Sequence, residues 1–401
     1  MSQEGARSGP NPVLVVLLII AVIAVGVLGY LYHRQQQEVV KIDAPKSYFL
    51  AKLTYPTAYV VEKKNVEQGA DWYKTPVGTG PFKLVSWDPS QGLTLARNTS
   101  YYGQVATLNE VKFLYQAGLP MDMYESGQID VVGVSSTYID RVNDPAGPFA
   151  GQLQVTPELS FSYIGFNEAA PPFDDVHVRR AFSYALDKDK IISVMYRDMV
   201  TKAEGILPPG MPGYNPDLKG LDFDVAKAKQ ELSLSRYGSA ANLPPITITT
   251  AGYGGGTDPM IEASVVQWQQ NLGVKVTIRQ MEPDRYYYNL MAEKNEMFSM
   301  GWIADYPNPQ DFLDLLFHTG AQNNFGEYSN PQVDKLLDQA ATATGSDALT
   351  LYDQVEQMLV DDAACLPFSF AKDYTLVKPY IHGYKVDPMG LVAFNQVTTD
   401  H

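Results

Sequence analysis

The sequence predicts an α/β protein of two or three lobes with mixed sheets, preceded by one transmembrane helix. Three observations carry that expectation. An uncharged apolar run extends from Val13 to Leu31, strand and helix patterns alternate between Ile246 and Ile303, and the rest of the 401 residues suffices for lobes of about 100 to 200 residues each.

The apolar run comes first. At about 1.5 Å rise per residue it can cross a hydrocarbon core about 30 Å thick, and it lacks the polar stripe of a helix packed in a soluble core. Tyr30, Leu31, Tyr32, His33 and Arg34 follow without a small-residue cleavage pattern, and no lipid-bearing cysteine comes after them, which predicts a retained anchor over a cleaved signal. Only Arg7 precedes the run, whereas Arg34, Lys41 and Lys46 follow it, so charge counting alone puts the globular part in the cytoplasm.

Extended segments broken by Pro45 and Pro56 are expected between Val39 and Val61, then a loop from Glu67 to Pro81. Short strands are expected at Phe82 to Trp87, Leu93 to Asn98 and Glu110 to Tyr115, a short helix at Met121 to Gly127, and a strand at Ile129 to Val134. A strand ending in Tyr163 to Asn167 precedes a helix over Asp175 to Ala185, where Val178, Ala181, Phe182 and Ala185 share one face. A second helix covers Lys188 to Tyr196. The βαβαβ unit reads as strand Ile246 to Thr250, a helix capped by Asp258 with Pro259 at its first position, strand Val274 to Ile278, helix Asp284 to Glu293 and strand Met297 to Trp302. Such units build parallel sheets whose ligands gather beyond the carboxyl ends of the strands. Helices over Asp311 to Phe317, Gln332 to Ala341 and Ala348 to Asp361 follow, with a closing strand at Tyr374 to Val377.

Charge and chemistry exclude several functions. With 45 acidic against 30 basic residues the net charge is −15, which repels nucleic acid. The single cysteine, Cys365, rules out an internal disulfide and reads as a small buried hydrophobe. His33, His177, His318, His382 and His401 show no metal-ligand spacing, no Gly-x-Ser-x-Gly elbow exists, and the glycine runs at Gly78 to Gly80 and Gly252 to Gly256 lack the Lys-Ser/Thr pair of a phosphate loop. Neither an enzyme nor a resident cofactor is expected. Tyrosines, phenylalanines and tryptophans number 26, 16 and 4, and they suit the lining of a solute cleft. Trp302 ends the third parallel strand and Asp305 follows it by three residues, with Pro307 and Pro309 stiffening the loop. A carboxylate there can receive a ligand's cationic group or cap the next helix, and spacing alone leaves both roles open.

Four segments taken in order make the chain similar to the family 5 extracytoplasmic solute-binding proteins of ABC importers, the dipeptide- and oligopeptide-binding group. They are GTGPFKLVSWDPSQGLTLARNTSYYG at Gly78 to Gly103, YIGFNEAAPPFDDVHVRRAFSYALDKDKI at Tyr163 to Ile191, GWIADYPNPQDFL at Gly301 to Leu313, and NNFGEYSNPQVDKLLDQA at Asn323 to Ala340. The resemblance implies a periplasmic-binding-protein type II (venus-flytrap) fold. It further implies a peptide ligand, delivery to permease and ATPase subunits, and an extracytoplasmic location that overrides the charge count. It assigns the ligand's α-amino group to Asp305, with Trp302, Tyr306 and Asn167 as further ligand contacts. A nickel chelate, an oligosaccharide or a non-binding membrane-attached remnant are the alternatives. The expected division is a tail over 1–12, an anchor over 13–32, a partial first lobe over 33–162, a second lobe over 163–370 and a return to the first lobe over 371–401. The first lobe would lack N-terminal strands that relatives possess, leaving apolar surface exposed.

Overall fold

The structure, a computed structural model, describes Ile42 and residues 44–115, 118–252 and 256–400. The expected membrane span, Val13 to Leu31, lies outside the described residues. Among the described residues no helix is long and apolar enough to cross a membrane.

In chain order the elements are α1 (Phe49–Lys52), α2 (Lys63–Val66), β1 (Phe82–Asp88), β2 (Gly92–Arg97), β3 (Glu110–Leu114), α3 (Pro120–Glu125), β4 (Val131–Gly133), α4 (Ile139–Val142), β5 (Leu153–Pro157) and β6 (Ser160–Phe166). Then come α5 (Val176–Tyr184), α6 (Lys188–Tyr196), β7 (Thr201–Lys202), α7 (Val225–Leu234), β8 (Ile246–Ala251), α8 (Pro259–Leu272), β9 (Val276–Met281), α9 (Pro283–Glu293) and β10 (Met297–Ile303). The last are α10 (Gln310–Phe317), α11 (Pro331–Thr342), α12 (Gly345–Asp361), β11 (Cys365–Phe370), β12 (Lys372–Val377), β13 (Ile381–His382) and β14 (Thr398–Thr399).

Helix starts follow the local chemistry. Asp175, Asp187, Asp224, Asp258 and Asn330 each accept a backbone N–H of the first turn, and Pro259 and Pro331 take a position where a missing N–H costs nothing. The same logic corrects one expectation. The stretch from Val39 to Val61 is not extended where described, because α1 forms there and Pro56 opens a 3₁₀ turn, Pro56–Ala58.

The central sheet has six strands in the order β7-β11-β6-β10-β8-β9. Strands β10, β8 and β9 run parallel, as the βαβαβ reading expects, while β10 pairs antiparallel with β6 from Met297↔Phe166 to Ile303↔Ser160. Alternation in β6 divides the core in two. Phe161 and Tyr163 point into a cluster with Phe298, Phe312 and Tyr352, whereas Ile164 and Phe166 point into a cluster with Phe182, Ile248 and Trp268. Helices α5 to α8 supply the second cluster and α9 to α12 the first, so the sheet is sandwiched between helical layers.

Phe298 faces Gly165 across the β6–β10 pair, and a Cβ on Gly165 would lie 2.0 Å from the Phe298 Cζ. Gly165→Ala is therefore expected to cost about 1 to 3 kcal/mol by displacing a fully buried ring, read as a lower urea midpoint at unchanged slope.

At Ala371 the chain leaves β11 and enters β12, the centre of a second sheet ordered β4-β12-β5, and at Glu158 it passes from β5 into β6. The two crossings are joined: Glu158 donates its N–H to Ala371 O at 3.0 Å, and Ala371 donates to Ser160 Oγ at 3.1 Å. The third sheet, β1-β2-β3, is different in kind. None of its residues is buried, and Val85, Tyr102 and Leu114 in and next to it are each more than half exposed.

Candidate functional site

The site grows from the carboxyl end of β10. Gly301, Trp302 and Ile303 complete the strand, Ala304 donates its N–H to Leu159 O at 2.8 Å, and the chain turns through Asp305 and Tyr306 toward α10. Asp311, in the first turn of α10 and 0% exposed, organises that turn. Its Oδ2 accepts the Asp305 N–H at 2.8 Å and the Trp302 Nε1–H at 3.3 Å. The alternative in which Asp305 caps the helix is thus inverted: the helix supplies the carboxylate and Asp305 supplies the donor. The half-buried Asp305 side chain takes no part in starting the helix.

Burial pushes the Asp311 carboxyl up to about 7, against the hydrogen bonds from Asp305 and Trp302, and its Oδ1 is buried without a partner among the described residues. Since the folded value exceeds the unfolded one, this group's contribution is complete below about pH 4 and is lost as pH rises through 7. Asp311→Asn, which retains an acceptor, is expected to flatten the fall of stability between pH 4 and 7, measured by chemical unfolding across that range.

The other expected site residues fare unequally. Trp302 is half-buried and lies against the core cluster of Phe312 and Tyr352, with its indole N–H committed to Asp311. Tyr306 is only 4% exposed and its hydroxyl donates to Gln310 Oε1, so it packs within the turn. Asn167 is not part of this site. It follows β6 and donates its N–H to Glu296 O, at the opposite end of the antiparallel pair from Trp302, roughly 20 Å away at about 3.4 Å per residue. Asn167 and Trp302 lie apart because each stands at the carboxyl end of its strand and β6 and β10 run in opposite directions.

Three residues escape any local reading of the sequence. Tyr48, Lys52 and Tyr55 come from the N-terminal segment. The Lys52 ammonium lies 4.6 Å from the Tyr48 ring centroid and 5.3 Å from that of Tyr306. The negative charge of Asp305 raises the Tyr55 phenol above its usual value. No sequence signal ties residue 55 to residue 305; only the fold does. Asp305 has no ion-pair partner among the described residues.

A half-buried carboxylate with a fixed backbone and an aromatic neighbour can bind a cation and orient it. Among the described residues no cluster of three or more His, Cys, Asp or Glu could hold a metal ion.

Comparison with known proteins gives the same direction. The profile described as bacterial extracellular solute-binding proteins, family 5 middle, matches residues 35–324. The oligopeptide-binding protein OppA of Bacillus subtilis is 27% identical over 88% of this chain and 68% of its own length, and the periplasmic oligopeptide-binding protein OppA of Salmonella typhimurium is 28% identical over 86% and 65%. The chain therefore spans about two thirds of the length of the curated relatives it matches. The murein tripeptide binding protein MppA of Escherichia coli, at 24% identity, superposes with a TM-score of 0.74 over 90% of this chain and 72% of that one, which shows a common fold.

Proposed function

The chain belongs to the bacterial extracellular solute-binding proteins of family 5, and on that footing we propose that it is the substrate-binding component of an ABC-type peptide importer, taking di- or oligopeptides between two lobes for a permease and its ATPase. The observation that carries the proposal is Asp305. Its carboxylate stands at the carboxyl end of a parallel strand, oriented through its own backbone by Asp311, where the α-amino group of a peptide would complete its hydrogen bonding.

The lobes in this proposal are 33–162 with 371–401 on one side and 163–370 on the other. The hydrogen-bonded crossings at Glu158 and Ala371 support a hinge between them, since extended connections there join the central sheet to the sheet of β4, β12 and β5. In the same proposal the globular part works outside the cytoplasmic membrane, held by the apolar segment 13–32. Protease added to intact spheroplasts should then digest it, and full protection would overturn that placement. The ligand is tested by mass spectrometry of small molecules released from the purified protein on denaturation, with short peptides expected. A non-peptide solute recovered in stoichiometric amount would overturn the peptide reading.

A further inference from the structure

Helix α10, whose first turn offers the Asp311 carboxylate to the Asp305 N–H, ends at His318. The His318 backbone is fixed, since its N–H donates to Asp314 O at 3.2 Å and its carbonyl accepts an Asn324 Nδ2–H at 3.1 Å. Its half-buried ring lies against α11. Nδ1 is 3.2 Å from Thr319 O and 3.7 Å from Asp334 Oδ1, and Nε2 is 3.7 Å from Asp338 Oδ1. Asp334 and Asp338 stand one turn apart on α11, and Asp334 is itself held by the Thr319 N–H at 2.9 Å. Both ring nitrogens therefore face oxygen acceptors, at a helix carboxyl end where the backbone carbonyls already favour a cation.

We propose that His318 is a proton-operated latch between α10 and α11: its imidazolium spans Asp334 and Asp338 and ties the two helices together, and its neutral ring releases one of them. The imidazolium has an N–H for each side, whereas a neutral ring keeps one donor and turns a lone pair toward the other acceptor, which repels it. The ionisable groups bearing on the ring are Asp314 on its own helix and Asp334 and Asp338 on α11, all acidic. Burial acts to lower the imidazole's value, but the Thr319 carbonyl and these three side chains together raise it above the ordinary one. Since the folded value exceeds the unfolded one, the latch contributes in full below about pH 6.5 and is lost as pH rises through the folded value. The Asp338 side chain is 80% exposed and its share is screened by solvent, while Asp334, at 21%, is sheltered. Because α10 carries Asp311 at its other end, the latch makes the firmness of the Asp305 turn depend on pH.

The test uses the full chain with 13C-labelled histidine, observed by NMR, and His318→Gln to assign the His318 resonance. In wild type that resonance is expected to titrate above about pH 6.5, and in Asp334→Asn and Asp338→Asn at lower pH than in wild type, with the larger shift in Asp334→Asn. A His318 titration at or below about pH 6.5, or one that neither asparagine variant moves, overturns the latch. Amide hydrogen exchange across α10, corrected for the intrinsic pH dependence of exchange, is the second measurement. Between about pH 6 and 8.5 protection is expected to fall about threefold more in wild type than in His318→Gln. Equal falls in the two proteins would mean that the imidazolium forms without tying the helices, which overturns the proposal as well. If His318→Gln does not fold, Asp338→Asn, altered only at an exposed side chain, serves as the comparison in both measurements.

Discussion

Replacing Arg179 with alanine is expected to destabilise the folded chain by about 3 to 5 kcal/mol, the largest effect of any single substitution considered. The guanidinium projects from α5 into a site where its side chain is 7% exposed, and it faces Glu168 Oε2 at 3.1 Å. It also donates from Nη1 to Phe173 O at 2.8 Å, from Nη2 to Asp362 O at 2.8 Å, and from Nε to Ala363 O at 3.1 Å. Those carbonyls belong to the turn before α5 and to the turn between α12 and β11, where Ala363 sits in the left-handed region at φ 48°. Alanine would leave buried carbonyls without donors and release a strained turn that delivers β11 to the sheet. Urea unfolding followed by tryptophan fluorescence measures the loss; a change below about 1 kcal/mol would show the tie to be dispensable.

Glu168 adds a pH signature to this cluster. Burial raises its carboxyl to about 8 even though the Arg179 cation acts in the opposite sense, and its Oε1 is buried without a partner among the described residues. With the folded value above the unfolded one, the native state holds the extra proton, so the contribution is complete below about pH 4 and is lost as pH rises through 8. Glu168→Gln should remove the decline between about pH 4 and 8, measured by chemical unfolding across that range.

The second large effect concerns binding. Asp305→Ala is expected to weaken a free-amino tripeptide by about ten- to a hundredfold, the equivalent of one charge-assisted hydrogen-bonding group worth about 1.5 to 3 kcal/mol. Stability should hardly change, since Asp305 is half-buried, its backbone N–H remains bound to Asp311, and no ion pair among the described residues is broken. That combination separates a ligand contact from a structural one. Calorimetric titration gives the affinity and thermal unfolding the control; unaltered affinity with intact folding would sink the assignment of the α-amino group to Asp305.

Much of the architecture was legible because the signals are local. Asp258 with Pro259 and Asn330 with Pro331 start helices through their own side chains and ring geometry, whatever surrounds them. Helix α6 has the bounds its periodicity implies, and β8, β9 and β10 form the parallel set that their alternation with helices requires. Strand β9 begins at Val276, two residues later than the apolar run suggests, since Val274 is used in the turn after the left-handed Gly273. Strands β5 and β11 and helix α7 carry no pattern strong enough to single them out. Cys365 and Leu366 enter opposite core clusters, and a bulge between Pro367 and Ser369 blurs the alternation of β11.

The site divides along the same line. The sequence by itself determined the α/β class, the acidic surface, the helix starts and the position of Asp305 at the end of a parallel strand, because each rests on residues within a few positions of one another. Only the tertiary structure decided what surrounds that carboxylate. It separated Asn167 from Trp302 through antiparallel register, buried Tyr306, and laid the segment from Ser47 to Lys52 against α11 and the Tyr306 ring. The physical reason is the range of the interactions. Capping and periodicity act within one or two turns of the chain, whereas the antiparallel register and the packing of the N-terminal segment join stretches that meet only after the sheet and its helices have packed.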